Sequence, residues 1–324
     1  MNKHCTGSEP NSNKICKLLV FPDRILMMTL FSRQNLFRIP VIAVLLLTIF
    51  DCASAQYVRK DLETGLTTRG NGLSCNETYL SDGENIIQRN TFTYGETYYV
   101  NFEGMEGFER EGENAFPDME LLIISDQGDS VLHINDLYAE YAEGIDYSPL
   151  ELYAQVTVAN PMHSGGNYTL YVNIGDKRGK GTLKATLDFN VNRDPGITIR
   201  GEQVKAREIY LFSQEGGYTI TSGQAGFDEN IYLLFEGLDG FYVDDGQVLL
   251  GLSMVIKDAD GNVILDESDL LGDDGLSYED VHQQVAPHFI LTGFEIANPV
   301  SCLVRIWDKK SAAWISASTE LQIK

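Results

Sequence analysis

The chain contains little cysteine, little proline and no apolar stretch of membrane-spanning length. Of its 324 residues, five are cysteine and nine are proline. Only Cys75 and Cys302 lie after residue 55, and no CxxC spacing of a zinc or redox site occurs. We expect these two to be free thiols rather than a disulfide between the halves of the chain. A disulfide-rich scaffold and a multi-span helical membrane protein are therefore excluded.

Sequence signatures of catalysis are also missing. No GxSxG, HExxH or GxxxxGK[ST] motif occurs, although these are the local patterns of serine hydrolases, zinc proteases and P-loop enzymes. The paired carboxylates of glycoside hydrolases come from distant strands and leave no local motif, so that class of enzyme stays open. We otherwise expect a protein that is not an enzyme and has no catalytic residues.

The first 55 residues have the layout of a secretory signal peptide. Arg33 and Arg38 precede an apolar stretch at residues 41–50, which is about half the length that a membrane-spanning helix needs. Ala53-Ser54-Ala55 then supplies a small-x-small cleavage site before Gln56. We expect the mature chain to be periplasmic, on the cell surface or secreted, and to have no transmembrane span.

Three alternatives concern this leader segment. An uncleaved segment would act as an N-terminal anchor. Met27 or Met28 could be the true start, because the residues before them make a poor n-region. Cys52 could be lipidated, although Asp51 directly before it fits the usual lipidation motif poorly.

The mature chain is strongly acidic. Six of the 24 basic residues and three of the 47 acidic residues precede Gln56, so residues 56–324 carry 18 basic and 44 acidic residues, a formal net charge of −26. Such a charge repels phosphate backbones and anionic membrane surfaces. We therefore expect no nucleic-acid partner. Divalent cations and basic partners stay open, and the plainer role of the charge is solubility.

An internal repeat with a period of about 133 residues sets the architecture. Residues 99–108, YVNFEGMEGF, match residues 232–241, YLLFEGLDGF. Four further blocks follow in the same order: residues 122–128 with 254–261, 136–137 with 269–270, 160–161 with 298–299, and 170–177 with 302–309. A turn signal, Asp194-Pro195-Gly196, separates the copies. We predict two domains, residues 56–193 and 194–324.

Each copy has the alternation of strands with one buried and one solvated face. Residues 169–174 and 182–191 alternate between apolar and polar side chains. Asp260-Gly261, between two short apolar runs, is a strong hairpin signal. The predicted fold class is all-β: two tandem, similar β-sandwich domains after an N-terminal signal peptide. One short helix is predicted in each of residues 138–152 and 278–285.

An acidic turn in the second copy suggests calcium. Asp258-Ala259-Asp260-Gly261-Asn262 resembles the start of a calcium loop, but the twelfth position is Asp269 rather than Glu and the flanks read as strands, so an EF-hand is rejected. A different calcium site stays open, with the ligand candidates Asp258, Asp260, Asn262, Asp269 and Asp308. The alternative is an ordinary hairpin turn whose Asp and Asn bond their own backbone.

Other candidate positions are polar residues shared by both copies and tyrosines or tryptophan on the surface. The shared polar residues could line equivalent sites or simply cap turns; they are Glu103/Glu236, Asp126/Asp258, Asp136/Asp269 and Asp176-Lys177/Asp308-Lys309. The aromatic candidates could stack on sugars or anchor an interface, with about half of them expected to face the core; they are Tyr94, Tyr98, Tyr138, Tyr141, Tyr147 and Trp314.

The signal peptide ending in Ala-Ser-Ala-Gln and the acidic tandem β domains over residues 56–324 resemble exported proteins of the Bacteroidota, many of which carry immunoglobulin-like sandwiches. This resemblance implies export and the sandwich fold. We expect a non-catalytic binding or structural protein of the cell envelope, whose partner is a glycan or an envelope protein. The alternatives are a calcium-stabilised β module and a carbohydrate-active enzyme with dispersed carboxylates.

Overall fold

A computed structural model describes residues 56–324. The predicted signal peptide, with its anchor, start-site and lipidation alternatives, lies outside the described residues. Within the described range, every helix is too short or too polar to cross a membrane.

The first half of the described chain consists of strands joined by turns. Their bounds are β1 Gln56–Lys60, β2 Thr67–Asn71, β3 Glu77–Ser81, β4 Ile86–Ile87, β5 Thr91–Thr93, β6 Thr97–Glu103, β7 Asn114–Ala115, β8 Pro117–Ser125, β9 Ser130–Ile134, β10 Ile145–Asp146, β11 Leu152–Thr157, β12 Asn167–Asp176 and β13 Thr182–Asn192.

The second half adds strands in a corresponding series and one short helix. Their bounds are β14 Thr198–Glu202, β15 Glu208–Ser213, β16 Tyr218–Thr219, β17 Gln224–Ala225, β18 Asn230–Glu236, β19 Gln247–Val248, β20 Leu250–Lys257, β21 Val263–Glu267, β22 Leu276–Ser277, α1 Tyr278–Gln283, β23 Gln284–Val285, β24 His288–Ile290, β25 Val300–Asp308 and β26 Trp314–Ile323.

The two halves have the same strand order. In the first half the larger sheet runs β1-β2-β13-β12-β8-β9 with β5 parallel to β13, and in the second half it runs β14-β26-β25-β20-β21 with β17 parallel to β26. The smaller sheets, β11-β6-β3-β4 and β16-β15-β18 with β23 and β24, correspond in the same way. Strand β1 has no counterpart. All named strand pairs of the described residues join strands of the same half.

Alternating burial along the strands places a core between the two sheets of each half. In β12 every second side chain from Tyr168 to Asp176 is buried, as expected for a strand with one inward face. The buried apolar side chains form one cluster between Leu66 and Val191 and another between Ile197 and Ile323. The all-β sandwich class is confirmed, whereas the domain division at residues 193 and 194 stays a prediction that separate expression of the halves would test.

One of the two predicted helices forms. Helix α1 begins after Ser277, whose hydroxyl accepts a hydrogen bond from the Asp280 N–H. The helix predicted in residues 138–152 is wrong: that segment contains turns, β10 and the first residue of β11. Gly144 there has a φ of +82°, and Pro149 cannot donate a helical hydrogen bond.

Two glycines shared by the copies hold conformations that other residues resist. Gly107 and Gly240 have φ values of +96° and +108°. A Cβ on Gly107 would lie 2.0 Å from the carbonyl oxygen of Gly72, and one on Gly240 would lie 2.1 Å from that of Gln203. The repeat therefore retains glycine because both the φ angle and the close backbone approach require it.

A buried carboxylate joins the two halves. Glu208, which is 1% exposed, accepts hydrogen bonds from the Ser164 N–H at 2.8 Å and the Ser164 hydroxyl at 2.6 Å. The rings of Tyr94 and Tyr210 meet beside it at a centroid distance of 5.3 Å. Because one residue of each pair belongs to each half, these contacts fix the junction between them.

Removing the buried hydroxyl of Tyr98 in the first core is predicted to increase the stability of the protein. Tyr98 is fully buried, its ring stacks on Phe92 at 4.0 Å, and its hydroxyl finds no hydrogen-bond partner among the described residues. Tyr98→Phe removes an unsatisfied polar group and keeps the ring, so we expect the free energy of unfolding to rise by about 1 kcal/mol. Urea unfolding followed by circular dichroism measures it.

The control for this substitution is Tyr94→Phe. The Tyr94 hydroxyl accepts a hydrogen bond from the Asn160 N–H at 3.2 Å, so its removal should cost about 1 kcal/mol. Equal losses for Tyr98→Phe and Tyr94→Phe would contradict the prediction.

Candidate binding faces

The acidic turn at the β20–β21 hairpin is held by hydrogen bonds between its own residues. The backbone N–H and the side-chain amide of Asn262 both donate to the Asp258 carboxylate at 2.8 Å. The side-chain hydrogen bond from Asn262 is the main reason that the pKa of Asp258 lies below its usual value. Asp260 is exposed at the tip of the turn.

The other two calcium candidates lie elsewhere and have protein partners. Asp269 contacts the Lys309 ammonium at 2.6 Å, and this contact lowers the pKa of Asp269. Asp308 is 3% exposed and accepts hydrogen bonds from the N–H groups of Tyr242 and Lys310 at 2.6 and 2.8 Å. Both carboxylates hold loops in place.

The structure divides the five candidates between the two ends of β20. Asp308 lies opposite Leu250 at the start of that strand, and Asp258 directly follows its last residue, Lys257. About 25 Å of strand separates the two groups at 3.3 Å per residue. The described residues contain no group of three or more His, Cys, Asp or Glu side chains that could hold a metal.

Calcium binding thus stays a prediction, and it concerns the hairpin turn alone. If the turn binds calcium, the melting temperature should rise in millimolar calcium, and Asp260→Ala should abolish the rise. The same melting temperature with calcium and with a chelator would contradict it.

The shared polar residues make equivalent contacts in both halves. Lys177 contacts Asp136 at 2.7 Å as Lys309 contacts Asp269 at 2.6 Å. Asp176 accepts a hydrogen bond from the Glu109 N–H at 2.7 Å, much as Asp308 binds backbone N–H groups. These contacts hold the loops at one end of each sandwich in place. Of the two interpretations of the shared polar residues, turn capping is therefore the one that fits these contacts.

The shared glutamates pair with tyrosines instead of lining a site. The Tyr79 hydroxyl donates to Glu103 at 2.5 Å, and the Tyr210 hydroxyl donates to Glu236 at 2.7 Å. The bond to Glu103 raises the pKa of Tyr79 to about 12. Each pair joins neighbouring strands on the outer side of the smaller sheet.

Two broad grooves lie on the outer sides of the larger sheets, one in each half. The first face, a groove of about 960 Å³, crosses β1, β2, β13, β12 and β8. The second face, of about 770 Å³, crosses β14, β26 and β25. Amides and hydroxyls make up about half of the polar lining of the first face and most of that of the second: Asn71, Asn135, Asn173 and Thr182 on the first face, and Thr198, Ser301, Ser316, Ser318 and Thr319 on the second.

Corresponding rows of side chains run across the two faces. In the first row Arg69 pairs with Lys184, Lys184 with Asn173, and Asn173 with Glu120. In the second row Arg200 pairs with Ser316, Ser316 with Arg305, and Arg305 with Ser253. Arg69 and Arg200 occupy the same position, each before a glycine, and both are exposed.

Sequence reasoning missed this shared arginine, although a signal for it exists. Residues 67–71, TTRGN, match residues 198–202, TIRGE, but these blocks precede the five that define the repeat. The glycine after Arg69 is required because a Cβ on Gly70 would lie 1.9 Å from the Leu73 carbonyl oxygen. The repeat thus extends to the strand that carries the arginine.

The two rows differ in charge. On the first face, Asn173 donates to Glu120 at 2.7 Å, and His133 lies 2.9 Å from the same carboxylate. The His133 hydrogen bond is the main cause of the lowered pKa of Glu120. On the second face, Arg200 and Arg305 occupy a row without a carboxylate. Glu320 also lines this groove, four residues along β26 from Ser316, so its lining has one carboxylate against two arginines.

The predicted surface aromatics lie mostly elsewhere. Tyr94, Tyr98 and Tyr138 are buried, at 5%, 0% and 8% exposure, because their strands or turns direct them into the core, which agrees with the expectation that about half of the six face inward. Tyr141 is exposed but lines neither face, and Tyr147 packs against Phe108. Trp314 is half-buried and lines the second face.

The buried cysteines belong to separate cores. Cys75 lies in the first cluster and Cys302 in the second, and both thiols are free. Burial raises the pKa of Cys302 to about 12. Both cysteines therefore act as small core residues.

No protein-family model matches the chain, and neither does any curated protein. Among solved structures, the C-terminal domain of wzt is 14% identical with a TM-score of 0.29, covering 43% of this chain and 79% of its own. A DUF3823 family protein from Bacteroides ovatus is 11% identical with a TM-score of 0.20, covering 67% and 95%. Fibronectin(III)-like modules of Clostridium thermocellum CbhA are 12% identical with a TM-score of 0.18, covering 72% and 89%. At such TM-scores and identities these neighbours carry no argument about this chain.

Proposed function

We propose that this chain is an exported, non-catalytic glycan-binding protein of the cell envelope that acts through the first and second faces. The observation that carries the proposal is the repetition of a polar groove on the same face of both halves, with arginine at the same position. A duplicated chain with two such grooves can bind a polymer at two points, which raises the overall affinity through effective concentration.

The lining of the faces favours a glycan over a protein partner. Protein interfaces centre on a buried apolar cluster, whereas these grooves present amides, hydroxyls and cations on flat strands. Asn, Ser and Thr side chains donate and accept hydrogen bonds, which suits a hydroxyl-rich ligand. An envelope protein as the partner is the alternative outcome of the test.

The Glu120 carboxylate at the first face does not fit the role of a general acid. A glycoside hydrolase needs a general acid whose pKa is raised. The pKa of Glu120 is lowered instead, by His133 and Asn173, so this carboxylate favours the ionised form.

A panel of immobilised polysaccharides tests the proposal. We expect the purified protein to bind at least one of them without releasing products. The double substitution Arg69→Ala and Arg200→Ala should weaken that binding, while Lys205→Ala, an exposed cation that lines neither groove, should leave it unchanged. No binding to any glycan, or turnover of one, would refute the proposal.

A further inference from the structure

We propose that the second face recognises an anionic sugar, one that carries a carboxylate or a sulfate group, and that this group binds between Arg200 and Arg305. The inference rests on the proposed function and names the chemistry of its ligand. The inference depends on the second row, in which the two cations Arg200 and Arg305 flank the small hydroxyl side chain of Ser316.

The spacing of the row suits a small anion. Arg200 and Arg305 lie on the strands either side of β26, in register with Ser316. Neighbouring strands are about 4.8 Å apart, so the two arginine backbones lie about 10 Å apart. Two long side chains can converge over the small Ser316 side chain and bind one anionic group from both sides.

Neither arginine is neutralised by the protein. No carboxylate of residues 56–324 lies within ion-pair distance of Arg200 or Arg305. Two cations in one row without acidic partners stand out in a chain with a formal net charge of −26 over these residues. At physiological ionic strength charges are screened over about 8 Å, so the local row, not the net charge, decides what binds there.

Trp314 positions one of the two cations. The Arg305 guanidinium lies over the Trp314 ring at 4.5 Å from its centroid. A guanidinium stacked on an aromatic face keeps its edge N–H groups free for bidentate bonds to a carboxylate or sulfate. Trp314 is thus a positioning residue for Arg305.

The first face is the internal comparison. Its row also has two cations, Arg69 and Lys184, but Glu120 lies in the same row and Asp118 lines the same groove. The charges of these four side chains cancel, so the first face should bind sugar hydroxyls without preferring an anion.

The test compares three polymers: polygalacturonate, which carries carboxylates, dextran sulfate, which carries sulfates, and neutral dextran. Isothermal titration should show that the protein prefers one or both anionic polymers. Arg305→Ala and Arg200→Ala should each weaken that binding about tenfold or more, as expected for loss of a charge-assisted bond. Lys205→Ala should change it less than about twofold.

Three further variants separate charge from geometry. Arg305→Lys keeps the charge but loses the planar fork, so it should still weaken binding of the anionic polymer several-fold. Trp314→Phe should retain the preference for the anionic polymer over neutral dextran, and Trp314→Ala should lose it.

Equal affinity for dextran and the anionic polymers, or unchanged affinity in Arg305→Ala, would overturn this inference and leave glycan binding intact. Tighter binding of a DNA oligonucleotide than of either anionic polymer would overturn it as well, in favour of a general polyanion site. Failure to bind any glycan in the polysaccharide panel would overturn both proposals.

Discussion

Phe235→Ala is expected to lower the free energy of unfolding of the second half by about 3–5 kcal/mol, because it removes a fully buried ring and leaves a cavity. Phe235 is 0% exposed and lies one residue before the end of β18. Both tryptophans, Trp307 and Trp314, lie in the second half. Tryptophan fluorescence during urea unfolding therefore reports on that half alone.

The matched control is Phe102→Ala. Phe102 is the equivalent residue in the first half and is also 0% exposed, but it packs in the other core cluster. Phe102→Ala should leave the midpoint of the fluorescence transition nearly unchanged and shift the transition seen by circular dichroism. Equal fluorescence shifts for the two variants would contradict two separately closed cores.

Glu208→Ala should destabilise the protein by about 2–4 kcal/mol, the second largest effect. The carboxylate is buried, and its removal leaves the N–H and the hydroxyl of Ser164 without their acceptor. His163, whose Nδ1 lies 3.9 Å from the same carboxylate, loses this polar neighbour. The loss should be accompanied by faster hydrogen exchange at the amide of Ser164.

The equivalent residue of the first half provides the control for this prediction. Glu77 pairs with Glu103 as Glu208 pairs with Glu236, yet Glu77 is exposed. Glu77→Ala should change the stability by less than about 0.5 kcal/mol. Similar losses of stability for Glu77→Ala and Glu208→Ala would mean that the contacts of Glu208 at the junction do not stabilise the protein.

Local patterns were sufficient to predict the fold class and the repeat. Alternation in residues 169–174 and 182–191 belongs to β12 and β13, and the Asp260-Gly261 turn joins β20 to β21. The phenylalanines that the first repeat block shares, Phe102, Phe108, Phe235 and Phe241, are all buried. Each of these features depends on a few neighbouring residues, which is the range over which a single sequence is informative.

The binding faces could not be predicted in the same way. The first row brings together Arg69 and Lys184, which are far apart in the sequence, and only the strand order makes them neighbours. Alternation predicted that about half of the aromatic candidates are buried, but it does not show which ones, because it does not tell which of the two faces of a strand points inward. The calcium candidates were grouped by sequence proximity, whereas β20 separates them in space.

Nuclear magnetic resonance titration of the labelled protein with a polysaccharide that it binds tests the central claim most directly. Binding at the two duplicated grooves predicts shift changes in the amides of β2, β12 and β13 and in those of β14, β25 and β26, with the guanidinium signals of Arg69 and Arg200 among the most affected. Changes confined to the smaller sheets, or to the junction around Glu208, would contradict the claim.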